Sequence, residues 1–210
     1  MKTIWLQLII LKLFCFGFSP VTIGSEKPNF IIVVSESHST SAVGSYKGYL
    51  SDINPTPNLD LISQKSSVFT NAFCTNAASG PSSAVILTGK HSHLNGFIQN
   101  GNKFNTSQNY LPKILQEIGY QTALFGRWDL GTEPKYFDNW SILADPKEKY
   151  NPEFLNSKSQ KRIEGHSTDI ITDLALDWLH KKTNEKPFFL LIQFNATNNP
   201  WMPAIRHLRL

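Results

Sequence analysis

The sequence predicts an α/β fold, a mostly parallel central sheet flanked by helices. Two continuous apolar runs carry that prediction. Phe30-Ile31-Ile32-Val33-Val34-Ser35 and the stretch Pro187 to Phe194 (PFFLLIQF) have the composition of strands buried on both faces of a parallel sheet. Between them, strand-like runs alternate with segments of helical period, the order that parallel crossover connections require.

In chain order, Lys27-Pro28-Asn29 leads into the first strand, and a loop of small polar residues, Glu36 to Tyr46, follows it. Thr56-Pro57-Asn58 opens a short helix with Leu59, Leu61 and Ile62 expected on its buried side. Val68 to Phe73 predicts a second strand running into the turn Ser79-Gly80-Pro81. A helix is then expected to open at Ser82 and stop at Gly89, because Pro81 and Ser82 suit a helix start. The run Ala84-Val85-Ile86-Leu87 reads as buried. Ser79 would stand just ahead of a helix N-terminus, where free amides and the helix dipole favour an anion.

Leu111, Ile114, Leu115 and Ile118 lie at helical spacing and end at Gly119. Tyr120 to Phe125 predicts a third strand closed by Gly126. Thr132 to Ser159 is rich in Pro, Asn, Asp and aromatics, and is expected to be a surface excursion that could line a cleft. Asp169 to Lys182 reads as a helix buried over much of its circumference, and Pro187 to Phe194 as the fourth core strand. His91 and His93 sit in the Gly89–Gly96 loop, where a structural role is expected of them.

The 210 residues are 40% hydrophobic and 17% charged, which suffices for an ordinary core. The net charge of +4 is spread along the chain, so a nucleic-acid-binding arm is excluded. At the N-terminus, Lys2, the apolar run Ile4 to Phe18 and the small residues before Ser25 predict a signal peptide over residues 1–24. That run is interrupted by Lys12 and falls short of the roughly 20 residues of a membrane span, so no stable span is expected after processing. The expected destination is the exterior, a periplasm or a lumen. Beyond the signal, Cys74 is the one cysteine, which leaves no internal disulfide. Asn105, Asn139 and Asn195 head N-glycosylation acceptor patterns.

Four stretches together point to a family. Asn71-Ala72-Phe73-Cys74-Thr75, with Leu87-Thr88-Gly89-Lys90 and His93-Leu94-Asn95-Gly96, closely resembles the signature of the formylglycine-dependent sulfatases, members of the alkaline-phosphatase-like superfamily. Pro28-Asn29 with the first strand and Glu36-Ser37 resembles that family's Pro-Asn-strand-Asp-Asp. Gly119 to Gly131 resembles Gly-Tyr-x-Thr-x-x-x-Gly-Lys-Trp-His-Leu-Gly. Asn195-Ala196-Thr197-Asn198-Asn199-Pro200 resembles Asn-Ala-Pro-His-x-Pro. The resemblance runs over nearly all of residues 25–210 and implies the N-terminal part of the catalytic domain, with the C-terminal part missing.

The resemblance implies sulfate-ester hydrolysis by a formylglycine at Ser79, a serine being matured in some relatives, with Ca²⁺ held at Glu36 and Ser37. At the family's arginine position stands Ser83, at its lysine Arg127, and at its two histidines Asp129 and Asn198. Losing one oxyanion-stabilising donor typically costs about 10²–10³ in rate, so these exchanges imply lost or much weakened catalysis. The stretches Phe137 to Leu143, Tyr150 to Phe154 and Gly165 to Asp169 resemble the carbohydrate-directed branch, so sulfated carbohydrate is the implied ligand. The readings left open are a non-catalytic glycan- or partner-binding pseudoenzyme, a weak serine-type sulfatase using Ser79, and a metal-dependent phosphatase. A protein partner covering an open sheet edge is also expected.

Overall fold

The two long apolar runs pair side by side in the structure, a computed structural model that describes residues 27–183 and 185–208. The expected signal peptide lies outside the described residues. Six strands form one sheet: β1 (Phe30–Ser35), β2 (Gln121–Gly126), β3 (Asn139–Leu143), β4 (Glu153–Leu155), β5 (Gln160–Arg162) and β6 (Phe188–Phe194). Their order is β1-β6-β2-β3-β4-β5. The first four in that order are parallel, and β4 and β5 add antiparallel to the far edge. The α/β expectation holds. Among the described residues, five α-helices accompany the sheet: α1 (Pro57–Ser63), α2 (Ser79–Thr88), α3 (Ser92–Asn95), α4 (Leu111–Glu117) and α5 (Ser167–Lys181).

Because successive side chains on a strand point to opposite faces, β2 and β6 build two cores at once. Leu124, Phe189 and Leu191 pack with Ala84 and Leu87 of α2, Leu115 of α4, and Phe97, Phe104 and Tyr110. Ala123, Phe125, Phe188 and Leu190 pack on the other side against Ile170, Ile171, Ala175 and Trp178 of α5. Each large apolar side chain so buried contributes about 1.5–3 kcal/mol. The start of α5 is fixed by His166, whose side chain accepts from the Thr168 amide, while Asp169 and Lys181 complement the helix dipole at either end.

Five local expectations are corrected. Val68 to Phe73 forms no strand: Phe69 and Phe73 are exposed, and strand propensity forms a strand only where a neighbouring backbone is there to pair with. Leu59, Leu61 and Ile62 of α1 are exposed too, because that helix is held by polar contacts, Ser45 N donating to Asp60 and Gly44 N to Thr56. Strand β1 lies at the sheet edge, so Ile31 and Val33 remain more than half exposed rather than buried. The excursion Thr132 to Ser159 contains β3 and β4, whose short runs pair with existing strands. Finally, α2 opens at Ser79, three residues early, and Ile86 on it is exposed.

Candidate active site

Strand order decides which loops meet. Although β6 comes last in sequence, it lies between β1 and β2, with Ser35 beside Phe194 and Gly126 beside Gln193. The next residues, Glu36, Asn195 and Arg127, therefore leave the sheet in one row at its carboxyl edge, where open α/β sheets carry their ligands. Backbone bonds continue that alignment: Glu36 N donates to Ala196 O, Thr197 N to Glu36 O, and Arg127 N to Gln193 O. Gly126 is required here, since its φ is +110° and a Cβ would lie 2.1 Å from Gln193 O.

Onto this row α2 delivers Ser79 from the side. Arg127 is the hub. One terminal nitrogen donates to Ser79 Oγ at 3.1 Å and the other to Glu36 Oε2. Its Nε lies 2.5 Å from Asp129 Oδ2, an ion pair without the alignment of a hydrogen bond. Asn198 Nδ2 donates to Glu36 Oε1 at 3.2 Å. The side chains of Arg127, Glu36 and Asp129 are only 12–16% exposed, which strengthens their attraction relative to open water.

The structure thus brings Glu36, Ser79, Arg127, Asp129 and Asn198 together. Two expected members stand apart. Ser83 is buried and accepts from Gln193 Nε2 at 3.2 Å, so its hydroxyl ties α2 to β6. Ser37 has a φ of +54°, and its carbonyl accepts from Thr197 Oγ1. The amides at the head of α2 are also partly used, Gly80 N donating to Asn100 Oδ1 at 3.0 Å.

Calcium fits this donor set poorly. A hard dication takes six to eight oxygen ligands, whereas Glu36 and Asp129 are already committed to Arg127 and Asn198. Among the described residues, no group of three or more His, Cys, Asp or Glu is placed to hold a metal.

Sequence reasoning missed what lies behind the cluster. Asn195 is fully buried: its amide donates to Pro146 O and Glu148 O, and its Oδ1 accepts from Ser167. A glycan at Asn195 is therefore excluded, which corrects that acceptor expectation. Lys149, 3% exposed, donates to the carbonyls of Asn195 and Pro146. Burial first, and then the nearby Arg127 charge, hold its amine below the usual lysine range. Nothing in its surroundings in the sequence, Glu148-Lys149-Tyr150, marks it as internal.

Beside Asn198 opens a cavity of about 440 Å³ lined by Lys149, His166, Trp201, Met202, Arg206 and His207, among others. His166 accepts from Thr168 N at Nδ1, so Nε2 carries the proton donated to Met202 O. Arg206 is clamped in a two-bond fork to Asp169. Trp201, 81% exposed, offers a flat apolar face at the cavity. Among the described residues, no helix is long and apolar enough to cross a membrane.

Comparison with known proteins places this arrangement in context. The family model described as Sulfatase matches residues 28–205. The chain is 43% identical over 187 residues to an N-acetylglucosamine-6-O-sulfatase of Bacteroides thetaiotaomicron, covering 88% of this chain and 33% of that one. It is 30% identical to an N-acetylglucosamine-6-sulfatase of Capra hircus, covering 90% of this chain and 37% of the other. The solved structure of BT4656 in complex with its substrate D-glucosamine-2-N,6-O-disulfate superposes with a TM-score of 0.83 at 43% identity, over 87% of this chain and 37% of that one. The chain spans about a third of the length of the curated relatives it matches.

Proposed function

The chain belongs to the sulfatase family, and from that premise we propose that it is a sulfated-carbohydrate-directed member in which ester hydrolysis is lost or much weakened. The observation that carries this reading is the environment of Ser79. A hydroxyl nucleophile is activated by a base that takes its proton. Ser79 Oγ instead accepts a hydrogen bond from Arg127, and among the described residues no carboxylate or imidazole is bonded to it. Asn198, at the position where the family resemblance implies a histidine, is an amide and cannot protonate a leaving oxygen.

Two relatives that cover most of this chain are named as sulfatases of N-acetylglucosamine, which supports a sulfated amino sugar as the ligand class. The cavity beside Asn198 supports saccharide binding: its lining is mostly apolar, and the face of Trp201 suits the apolar side of a sugar ring. Export through the N-terminal segment, and a protein partner covering β1, Phe69 and Phe73, complete the proposal.

The test measures two things on the same purified chain. Sulfate release from N-acetylglucosamine 6-sulfate and from an aryl sulfate is expected to equal that in buffer. Saturation-transfer NMR is expected to detect the sulfated sugar, with loss of signal in Trp201→Ala. A second reading, the weak serine-type sulfatase, draws on the same contact, because a guanidinium stabilises an alkoxide. Sulfate release that vanishes in Ser79→Ala would establish it and remove the first.

A further inference from the structure

We propose that Arg127 is the resident cation of this site: its guanidinium fills the place between Glu36 and Asp129 that a divalent metal would need, so the site works without calcium. The inference goes beyond the proposed function, since it holds whether or not a saccharide binds or Ser79 reacts.

The argument begins with topology. Glu36 follows β1 and Asp129 follows β2, two strands separated by β6, so the sheet brings two carboxylates to either side of the Asn195–Asn198 loop. Two negative charges held there with little exposure require a positive partner. Arg127 meets both, one through Nη1 and the other through Nε, while its remaining terminal nitrogen reaches Ser79. The planar fork thus spans all three groups in one fixed geometry, which a flexible ammonium does not do.

The other oxygens of Glu36, Ser37 and Asn198 are engaged as well, while Asp129 meets Arg127 through the ion pair alone. Glu36 uses its second oxygen for the Asn198 amide, Asn198 Oδ1 accepts from Asn199 N, and the Ser37 carbonyl accepts from Thr197. A dication would have to expel the guanidinium or lie against it. Lys149, close enough for Arg127 to disfavour its charged form, adds further repulsion toward an incoming cation.

Replacing the guanidinium should therefore turn the site into one that takes a metal. The test titrates calcium chloride into the whole chain and into Arg127→Gln, by calorimetry and by thermal unfolding. The native chain is expected to give no binding heat and no Tm shift at millimolar calcium. Arg127→Gln is expected to bind calcium, its Tm rising by about 3–5 °C at tenfold excess over Kd. Adding Glu36→Gln to that variant should abolish the response. Arg127→Lys, which keeps the charge, should stay insensitive to calcium.

If Arg127→Gln is unfolded alone, millimolar calcium should restore its circular dichroism, and failure to do so overturns the proposal. Calcium binding by the native chain that is lost in Glu36→Gln overturns it as well, as does a folded Arg127→Gln that ignores calcium. These readouts contain no sulfate release, so they stand or fall apart from the catalytic reading.

Discussion

The backbone of Gly80 is pressed against the carbonyl oxygen of Asp129: a Cβ added to Gly80 would lie 2.9 Å from it. The same added atom would meet Phe97 Cε1 at 2.8 Å and Asn100 Oδ1 at 2.9 Å. This close approach of the first turn of α2 to the loop leaving β2 brings Ser79 within hydrogen-bond reach of Arg127. Helix and strand end are positioned as one unit.

Gly80→Ala is therefore expected to destabilise the chain by about 1–3 kcal/mol, the usual cost of overpacking. Urea unfolding measures the loss. Gly89, also a glycine but with nothing within 4 Å of an added Cβ, is the control for strain alone: its φ of +64° makes Ala unfavourable there without any clash.

Lys149 predicts a dependence on alkaline pH. Its amine titrates below its ordinary value of 10.5 in the folded chain, chiefly through burial and then through Arg127, with Asp145 opposing. A lysine with a lowered folded value binds more protons when unfolded, so stability rises with pH between the folded and unfolded values. Below that window the cost of the buried charge is fully present. Unfolding midpoints measured on the alkaline side, up to the ordinary lysine value of 10.5, should climb in the native chain and flatten in Lys149→Met.

The Asp169–Arg206 fork predicts the opposite limb. Hydrogen bonds from Arg206 hold the Asp169 carboxyl below its ordinary 3.8. The stabilisation is present above that ordinary value and is lost as pH falls through the lowered folded one. Because Arg206 is exposed, the effect should be local, freeing residues 200–208 rather than unfolding the sheet. Hydrogen exchange over that segment should accelerate on acidification, and Asp169→Asn should show the fast exchange already at neutral pH.

Asn195 predicts a large effect from a small change. Its buried amide satisfies Pro146 O and Glu148 O and is itself satisfied by Ser167. Asn195→Ala removes these bonds in the interior, leaving Pro146 O only its longer contact with Lys149, at an expected cost of about 2–4 kcal/mol, together with a looser loop 146–150. Thermal unfolding of the variant checks the magnitude.

The sequence by itself determined the class of the fold and the residues at the strand ends. The runs that became β1, β2 and β6 are local signals of strand, although burial on both faces was realised in β2 and β6 and not in β1, which lies at the edge. The helices α4 and α5 were legible from their periodicity for the same reason. Glu36, Ser79, Arg127, Asp129 and Asn198 could be named because the stretches that hold them resemble the family's motifs.

Only the tertiary structure decided what those residues do to one another. The placement of β6 between β1 and β2 set Glu36 and Asp129 on one guanidinium, a pairing across 91 positions for Glu36 that no spacing encodes. It also turned Ser83 toward Gln193 and drew Lys149 inside against Asn195. Strand Val68 to Phe73 failed for the complementary reason. A strand and an ion pair are both satisfied by partners far away in the chain, and partners are supplied by packing rather than by propensity.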